Sequence, residues 1–524
     1  MDEAKSPGHL RLIALIALLL LALGVAAWVW LPKLRFRSAP VTHFDRAADR
    51  LPLPAPVSTH QATLRGAPKL PESAGQTLSH RRAFFSGDFA RLHDVLQKGH
   101  DDYVSGRADS NQGELVLGIA ETQLAGIDRC GQWLREMPSS YPAHWQCAAI
   151  WEAGANAARG TGYASTVTPD RFRLMHERLA RANALLTRAL TLTGKPVEAL
   201  TMLGANHYFG GDAEQGEMFL QRAEALMPAH PPIHRVRAHY AQPEWGGADE
   251  AVADALARAK AARVKQDELL DMHDDFVAQP RRMSTPGAGR AYWRNAIRVR
   301  PTPKRLRGLA ADLMGTQAWA DALPVVDQLI AARPGDHDAY QLRARTNEHI
   351  GRIPQAHDDY LMAAALGNNL ALQKIVMAHI AGGLGLPGKS YNSVIELCEY
   401  GVALGLSVAA NCLGAMHFEA PSYGVKFKTD PLQGYAWHQF GARGGHYNSQ
   451  FDLGWMLYTG RVPGVDSEVA NRTGIFWLRR AAEQDHMFAK RKLEELGVPP
   501  SEEDSGGVFE NLLAMVIALF ERYR

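Results

Sequence analysis

The sequence predicts an all-α protein, a helical-repeat solenoid of antiparallel helix pairs behind a single N-terminal transmembrane helix. Two observations carry that reading. From about Pro301 to Gly497 residues recur first in steps of 34 and then in steps of 40, and such periods mean stacked helix pairs, each burying its apolar face on the next. Leu12 to Leu31 is an uninterrupted, uncharged apolar run, long enough to cross a bilayer as a helix. Composition agrees: 46% of the residues are hydrophobic, and Ala, Leu and Arg, all good helix formers, are abundant.

Residues 1–11 form a short tail and residues 12–31 the anchor, flanked by Arg11 and Lys33, with Trp28 and Trp30 suited to a membrane interface. A cleaved signal peptide with Val25-Ala26-Ala27 as its small-residue site is the rival reading. Apolar character continues past that site through Trp30 and Leu31, which favours an uncleaved, single-pass anchor. Residues 32–77, proline-rich from Pro32 to Pro71, read as an extended tether. Lys33, Arg35, Arg37 and Arg46 follow the span and favour a cytoplasmic body. The tether and an even cysteine count favour the periplasm, the side we expect, on a bacterial inner membrane. The cysteines fall as two local pairs, Cys130 with Cys147 and Cys398 with Cys412, each on adjacent helices. Two disulfides and four buried thiols both fit.

Residues 78–286 read as a helical domain. Phe84, Phe85, Phe89, Leu92 and Leu96 recur at helical spacing over Phe84 to Leu96. A helix follows from Pro169 to Leu192, with Thr168 as N-cap and Pro169 as its first residue. Lys195 to Pro228 reads as a degenerate repeat unit. A helix stops at Pro243-Glu244-Trp245-Gly246-Gly247, the next begins at Asp249, and Trp245 suits a packing wedge at that corner. With Ala158-Arg159-Gly160, this turn resembles an uncharacterised bacterial domain family over residues 80–280, a resemblance that supplies no activity.

Residues 301–370 carry the 34-step: Leu306 with Tyr340, Ala310 with Ala344, Ala322 with Ala356, Val326 with Tyr360. They resemble tetratricopeptide repeats, except that Arg343 and Asn347 stand where that family places apolar residues. Residues 371–497 carry the 40-step: Leu413-Gly414 with Leu453-Gly454, Gly424-Val425 with Gly464-Val465, Trp437 with Trp477, Ala442 with Ala482, His446 with His486. They resemble Sel-like (SLR) repeats. The resemblance implies stacked helix pairs that serve as surfaces for other proteins, and names no partner. In residues 498–524 a polar break precedes an apolar stretch, Val508 to Tyr523, too short to span a bilayer; it suits a helix capping the stack, or one that docks on a partner or a membrane surface.

Motifs with catalytic associations are weak. Gly383-Leu-Gly-Leu-Pro-Gly388-Lys389-Ser390 matches the Walker A pattern literally. The 40-step places it in an interhelical loop instead of between strand and helix, and Pro387 lacks the N–H such a loop aims at phosphates, so we read it as a chance match. His176-Glu177 lacks a second histidine four residues on. His273, Asp274 and Asp275 read as a solvated polar face. His446 and His486, at the repeat boundary, read as structural hydrogen-bonders. We expect no catalytic residue, no metal site and no cofactor. A net charge of +2, from 57 basic and 55 acidic residues, with no basic stripe interleaved with aromatics, speaks against nucleic acid.

The expected function is therefore a non-enzymatic scaffold with a protein or peptide partner, serving assembly or, by analogy with other SLR proteins, neutralising a toxin. The alternatives are a nucleotide-dependent or hydrolytic enzyme and a small-molecule sensor. The first helices of successive units should line a concave face, with Arg343, Asn347, Gln373, His379, Asn411, Gln450 and Tyr458 as its binding residues.

Overall fold

A computed structural model of the chain describes residues 69–108, 123–160, 167, 169–279, 288–419 and 427–498. The expected anchor 12–31, the tether up to residue 68, the Thr168 cap and the segment Val508–Tyr523 lie outside them. Among the described residues there are 22 α-helices and no strand, and no helix is long and apolar enough to cross a membrane.

Ten helices make the first half: α1 Glu72–Ser86, α2 Phe89–Val104, α3 Gln123–Glu136, α4 Tyr141–Arg159, α5 Pro169–Ala189, α6 Val197–Phe209, α7 Ala213–Leu226, α8 Pro231–Tyr240, α9 Asp249–Ala261 and α10 Gln266–His273. Twelve make the second: α11 Ala288–Val299, α12 Pro303–Gly315, α13 Trp319–Ala332, α14 His337–His349, α15 Ile353–Ala365, α16 Asn369–Ala381, α17 Tyr391–Ala403, α18 Ser407–Glu419, α19 Pro431–Arg443, α20 Tyr447–Tyr458, α21 Ser467–Ala482 and α22 Met487–Glu495. Packing is dominated by consecutive helices, as a stack of helix pairs requires.

Starts and stops are written locally. Thr302, Asp336, Asn368, Asp430 and Asp466 each accept hydrogen bonds from backbone N–H groups of the turn they open, satisfying donors that a helix leaves orphaned. His446 and His486 do the same through Nδ1. That is why histidine recurs at the repeat boundary. The recurring Leu-Gly has a packing cause. A Cβ on Gly454 would lie 2.9 Å from the Gly474 carbonyl oxygen, and one on Gly474 would lie 2.8 Å from that of Gly454. The two helices of this unit thus cross backbone to backbone. Trp437 and Trp477 are both buried, on the second helices α19 and α21.

Three expectations change. The Phe84–Leu96 stretch is two helices: α1 ends at Gly87, whose φ of 85° suits glycine, and α2 begins at Phe89. All five apolar residues still share one core with Trp133, because the turn preserves their common face. Helix α1 already begins at Glu72, inside the stretch expected to be tether. Asp274 is not solvated: it is buried in the π-helical turn after α10 and takes Arg305 Nε at 2.7 Å and Nη2 at 3.1 Å, with the Tyr292 hydroxyl at 2.5 Å. The partners of that carboxylate are 18 and 31 residues away in sequence, so local charge patterning could not indicate them.

One packing relation was not expected at all. Leu78 of α1 belongs to the core cluster built from Leu306 to Trp437. Arg81 donates to the Leu404 carbonyl, the Arg82 guanidinium lies 4.9 Å from the Tyr400 ring centre, and Phe85 lies 6.2 Å from Phe440. Gly405 has no side chain because Phe85 occupies its place: a Cβ there would come within 2.1 Å of that ring.

Candidate protein-binding groove

The seven residues expected on one recognition face separate into three groups. Arg343 and Asn347, on α14, turn onto α15. Asp359 accepts Arg343 Nε at 3.0 Å and Nη2 at 2.7 Å, and Asn347 Nδ2 at 2.9 Å, while Arg343 Nη1 donates to Asp327 at 2.9 Å. Asn347 and Asp359 are buried. These polar residues stand at apolar tetratricopeptide positions because they form a polar joint between the two helices of one unit. Burial works against the Arg343 charge, but Asp359 and Asp327 outweigh it and hold the guanidinium above its ordinary value. Burial raises the Asp359 carboxyl despite Arg343 and Asn347, the desolvation cost of an ion pair kept from water. Arg343, Asn347 and Asp359 also border an acidic hollow of about 310 Å³ with Asp327, Asp358 and Arg352.

Gln450 is buried too, donating to the Ala442 carbonyl and accepting from Gln484. It joins one unit to the next. Tyr458 stacks on Trp455 at 6.1 Å, and His379, half-buried, is held below its ordinary pKa by burial and by His357; neither borders a described cavity.

Gln373 and Asn411 do come together. They stand at the same place on α16 and α18, five residues past Asn368 and Leu406, and line one cavity of about 140 Å³ with Asn448 and His446 at the start of α20. Val376, Met377 and Ile380 of α16, Tyr391, and Val408, Cys412, Ala415 and Met416 of α18 complete the lining. Three successive first helices thus make an aliphatic trough with an amide-rich end and no charged side chain. Sequence reasoning missed Met377, Met416 and Asn448. Met377 is 50% exposed beside the buried Val376, and an apolar residue on the outward side of an otherwise patterned helix was the available signal.

Two disulfides tie the scaffold: Cys130–Cys147 joins α3 to α4, and Cys398–Cys412 joins α17 to α18. Cys412 forms part of the groove wall.

Four backbone donors of the Walker-like loop are in use. Gly383 N and Leu386 N exchange hydrogen bonds with each other's carbonyls, Lys389 N donates to the Ile380 carbonyl and Ser390 N to that of His379. Those four amides close the loop between α16 and α17, and Lys389 is exposed on it. His176 and Glu177 are both exposed on α5. Among the described residues no group of three or more His, Cys, Asp or Glu could hold a metal ion. Trp245 sits at the expected corner but stays 38% exposed, packed edge-on against Tyr240 at 4.9 Å and under the Arg159 guanidinium at 5.8 Å.

No protein-family model and no curated protein matches the chain. Solved structures that do match include a protective antigen of uropathogenic Escherichia coli strains with an SLR fold, at 14% identity and TM-score 0.34, covering 75% of this chain and 89% of that one. A Sel1 repeat protein from Oxalobacter formigenes matches at 17% identity and TM-score 0.31, over 70% and 90% of the two chains. The Cut9–Hcn1 assembly of the APC/C matches at 12% identity and TM-score 0.28, over 79% and 94%. Likeness this low carries no argument about function, and the helix-pair architecture rests on the packing of this chain. What the chain is similar to is this group of SLR and tetratricopeptide-like helical-repeat proteins.

Proposed function

We propose that the chain is a non-enzymatic scaffold of the bacterial envelope, tethered by Leu12–Leu31, whose α16–α18–α20 groove holds a segment of another protein. The observation that carries this is the groove itself: an uncharged aliphatic trough, with amides at one end, on the first helices of three successive units. The depletion of charge there is what the core of a protein interface requires. The two cysteine pairs support an oxidising compartment, where disulfides persist, and so the periplasmic side. Assembly work and toxin neutralisation both fit such a scaffold.

A photo-crosslinking side chain in place of Met377, in intact cells, tests the reading. Discrete adducts should form there, should disappear when Ala415→Trp fills the trough, and should not form from the exposed Leu432 on α19. Adducts that survive the filled trough, or none at Met377, would refute it.

A further inference from the structure

The helix caps decide which hydrogen-bonding atoms the groove offers. His446 Nδ1 accepts the Ser449 N–H at 3.3 Å. Burial drives this imidazole down to about 4, with His486 adding to the effect, so at neutral pH it is uncharged and its hydrogen sits on Nε2. That Nε2 is buried and has no partner among the described residues; the side chain is only 7% exposed. One unit on, His486 Nδ1 accepts the Ala489 N–H at 3.1 Å, and its Nε2–H donates to Asn448 Oδ1 at 3.1 Å. That bond orients the Asn448 carboxamide and leaves its NH₂ group uncommitted. The Ser449 hydroxyl donates to Asn411 Oδ1 at 3.0 Å, which leaves the Asn411 NH₂ uncommitted too. Gln373 Nε2 is used on the Tyr447 hydroxyl at 3.1 Å, so its Oε1 is the available acceptor. Among the described residues the groove lining therefore carries three uncommitted donor groups, that of His446 closed to solvent, and one acceptor, with no charge.

We propose that the groove takes an uncharged, extended peptide segment, with one aliphatic side chain in the cavity and backbone carbonyls on the donors of Asn411, Asn448 and His446. This rests on the scaffold reading and names the chemistry of its ligand. A cavity of 140 Å³ matches the roughly 150 Å³ that accommodates a benzene-sized apolar group and falls below the roughly 300 Å³ at which drug-sized ligand sites begin. One side chain fills it; a cofactor does not. A hydrocarbon chain would bury the donors without acceptors, and a carboxylate or phosphate would find no cation. An extended strand, rising about 3.3 Å per residue, turns a carbonyl to one side about every 6.6 Å, and its N–H groups suit Gln373 Oε1.

Heptapeptides selected from a random phage library on the full-length protein in lipid nanodiscs, then made synthetically and measured by fluorescence polarisation, test this. Selected peptides should share one aliphatic anchor and need no charge. His446→Asn keeps an N-cap residue but loses the Nε2–H, and should weaken them about tenfold or more, the range for a buried carbonyl left unpaired. An alkene isostere of the anchor's amide should cost the same in the wild type and almost nothing further in His446→Asn. Asn448→Asp, which keeps the bond to His486 and turns a donor into an acceptor, should weaken binding as well. Unchanged helix content and melting temperature would show that the variants fold. Peptides displaced by Ala415→Trp yet indifferent to all three changes, or anchored by a charged residue, would overturn the inference and leave the scaffold reading standing. Adducts at Met377 that no selected peptide competes away would do the same. Neither adducts nor peptides would remove both.

Discussion

Asp359→Leu should be among the most damaging single substitutions outside the apolar core. The side chain of Asp359 is 8% exposed, and its carboxylate receives Arg343 through Nε at 3.0 Å and Nη2 at 2.7 Å, together with Asn347 Nδ2 at 2.9 Å. Leucine keeps the same heavy-atom branching, so a cavity is not the issue. What changes is that the Asn347 amide, also buried, loses its acceptor, at about 1–3 kcal/mol. Breaking a buried ion pair costs about 3–5 kcal/mol, but Arg343 is 27% exposed and keeps Asp327, so the lower end or less applies. A net loss of about 3 kcal/mol follows. Replacing the whole joint, as Arg343→Met, Asn347→Leu and Asp359→Leu together, should bring the cost back to within about 1 kcal/mol of wild type, because no polar group is then left buried alone. Urea unfolding, with hydrogen exchange followed in peptides from His337–His349 and Ile353–Ala365, would measure both. If Asp359→Leu costs under about 1 kcal/mol, or the triple variant is as unstable as the single one, the joint is not what holds these helices and Arg343 returns to the pool of recognition residues.

The other expectations are simpler. Cys398→Ser with Cys412→Ser should lower stability by about 3 kcal/mol, the usual effect of opening a loop of this length, here 14 residues apart; equal unfolding midpoints for variant and parent would contradict it. Stability should also fall as pH drops below the free-histidine value of about 6.5. Burial holds His230 and His446 down to about 4 and His438 down to about 3, so between those values and about 6.5 the unfolded chain binds more protons than the folded one. By linkage the stability is fully present above about 6.5 and is lost progressively toward pH 4. A urea midpoint unchanged from pH 7 to pH 5 would refute it, and His446→Asn should flatten the slope.

The repeat architecture was legible because its causes are periodic. Leu453-Gly454 repeats Leu413-Gly414 where helices must approach closely, and His446 and His486 recur because each caps the next helix; both signals survive in one dimension. The boundaries of α14, α16 and α20 follow from caps that lie next to the residues they serve. Partnerships between helices were not legible. Arg343, Asn347 and Gln450 read as recognition residues because a polar residue on a patterned helix points outward by default, and their acceptors, Asp359 and the Ala442 carbonyl, lie 8 to 16 residues away on other helices. Gln373 and Asn411, read from the sequence as members of one face, line one cavity, but the aliphatic bed beneath them was not read. Met416 looks like a core residue until the gap between α16 and α18 is known.

The contact between α1 and the turn at Leu404-Gly405 bears on how the chain reaches its fold. A repeat array normally condenses by neighbour on neighbour, and any section can form first. Here Arg81 and Leu404 are 323 residues apart, so the place for Phe85 does not exist until the ribosome has delivered Gly405 and Phe440. Synthesis at about 5–20 residues per second leaves Leu78 and Phe85 of α1 waiting for tens of seconds for the partners that arrive with residues 404–440. Once seated, α1 couples the first helices made to units made far later. The cooperativity of this solenoid should therefore extend well beyond adjacent pairs, and a break near Gly405 should be felt at residue 80 as readily as at residue 400.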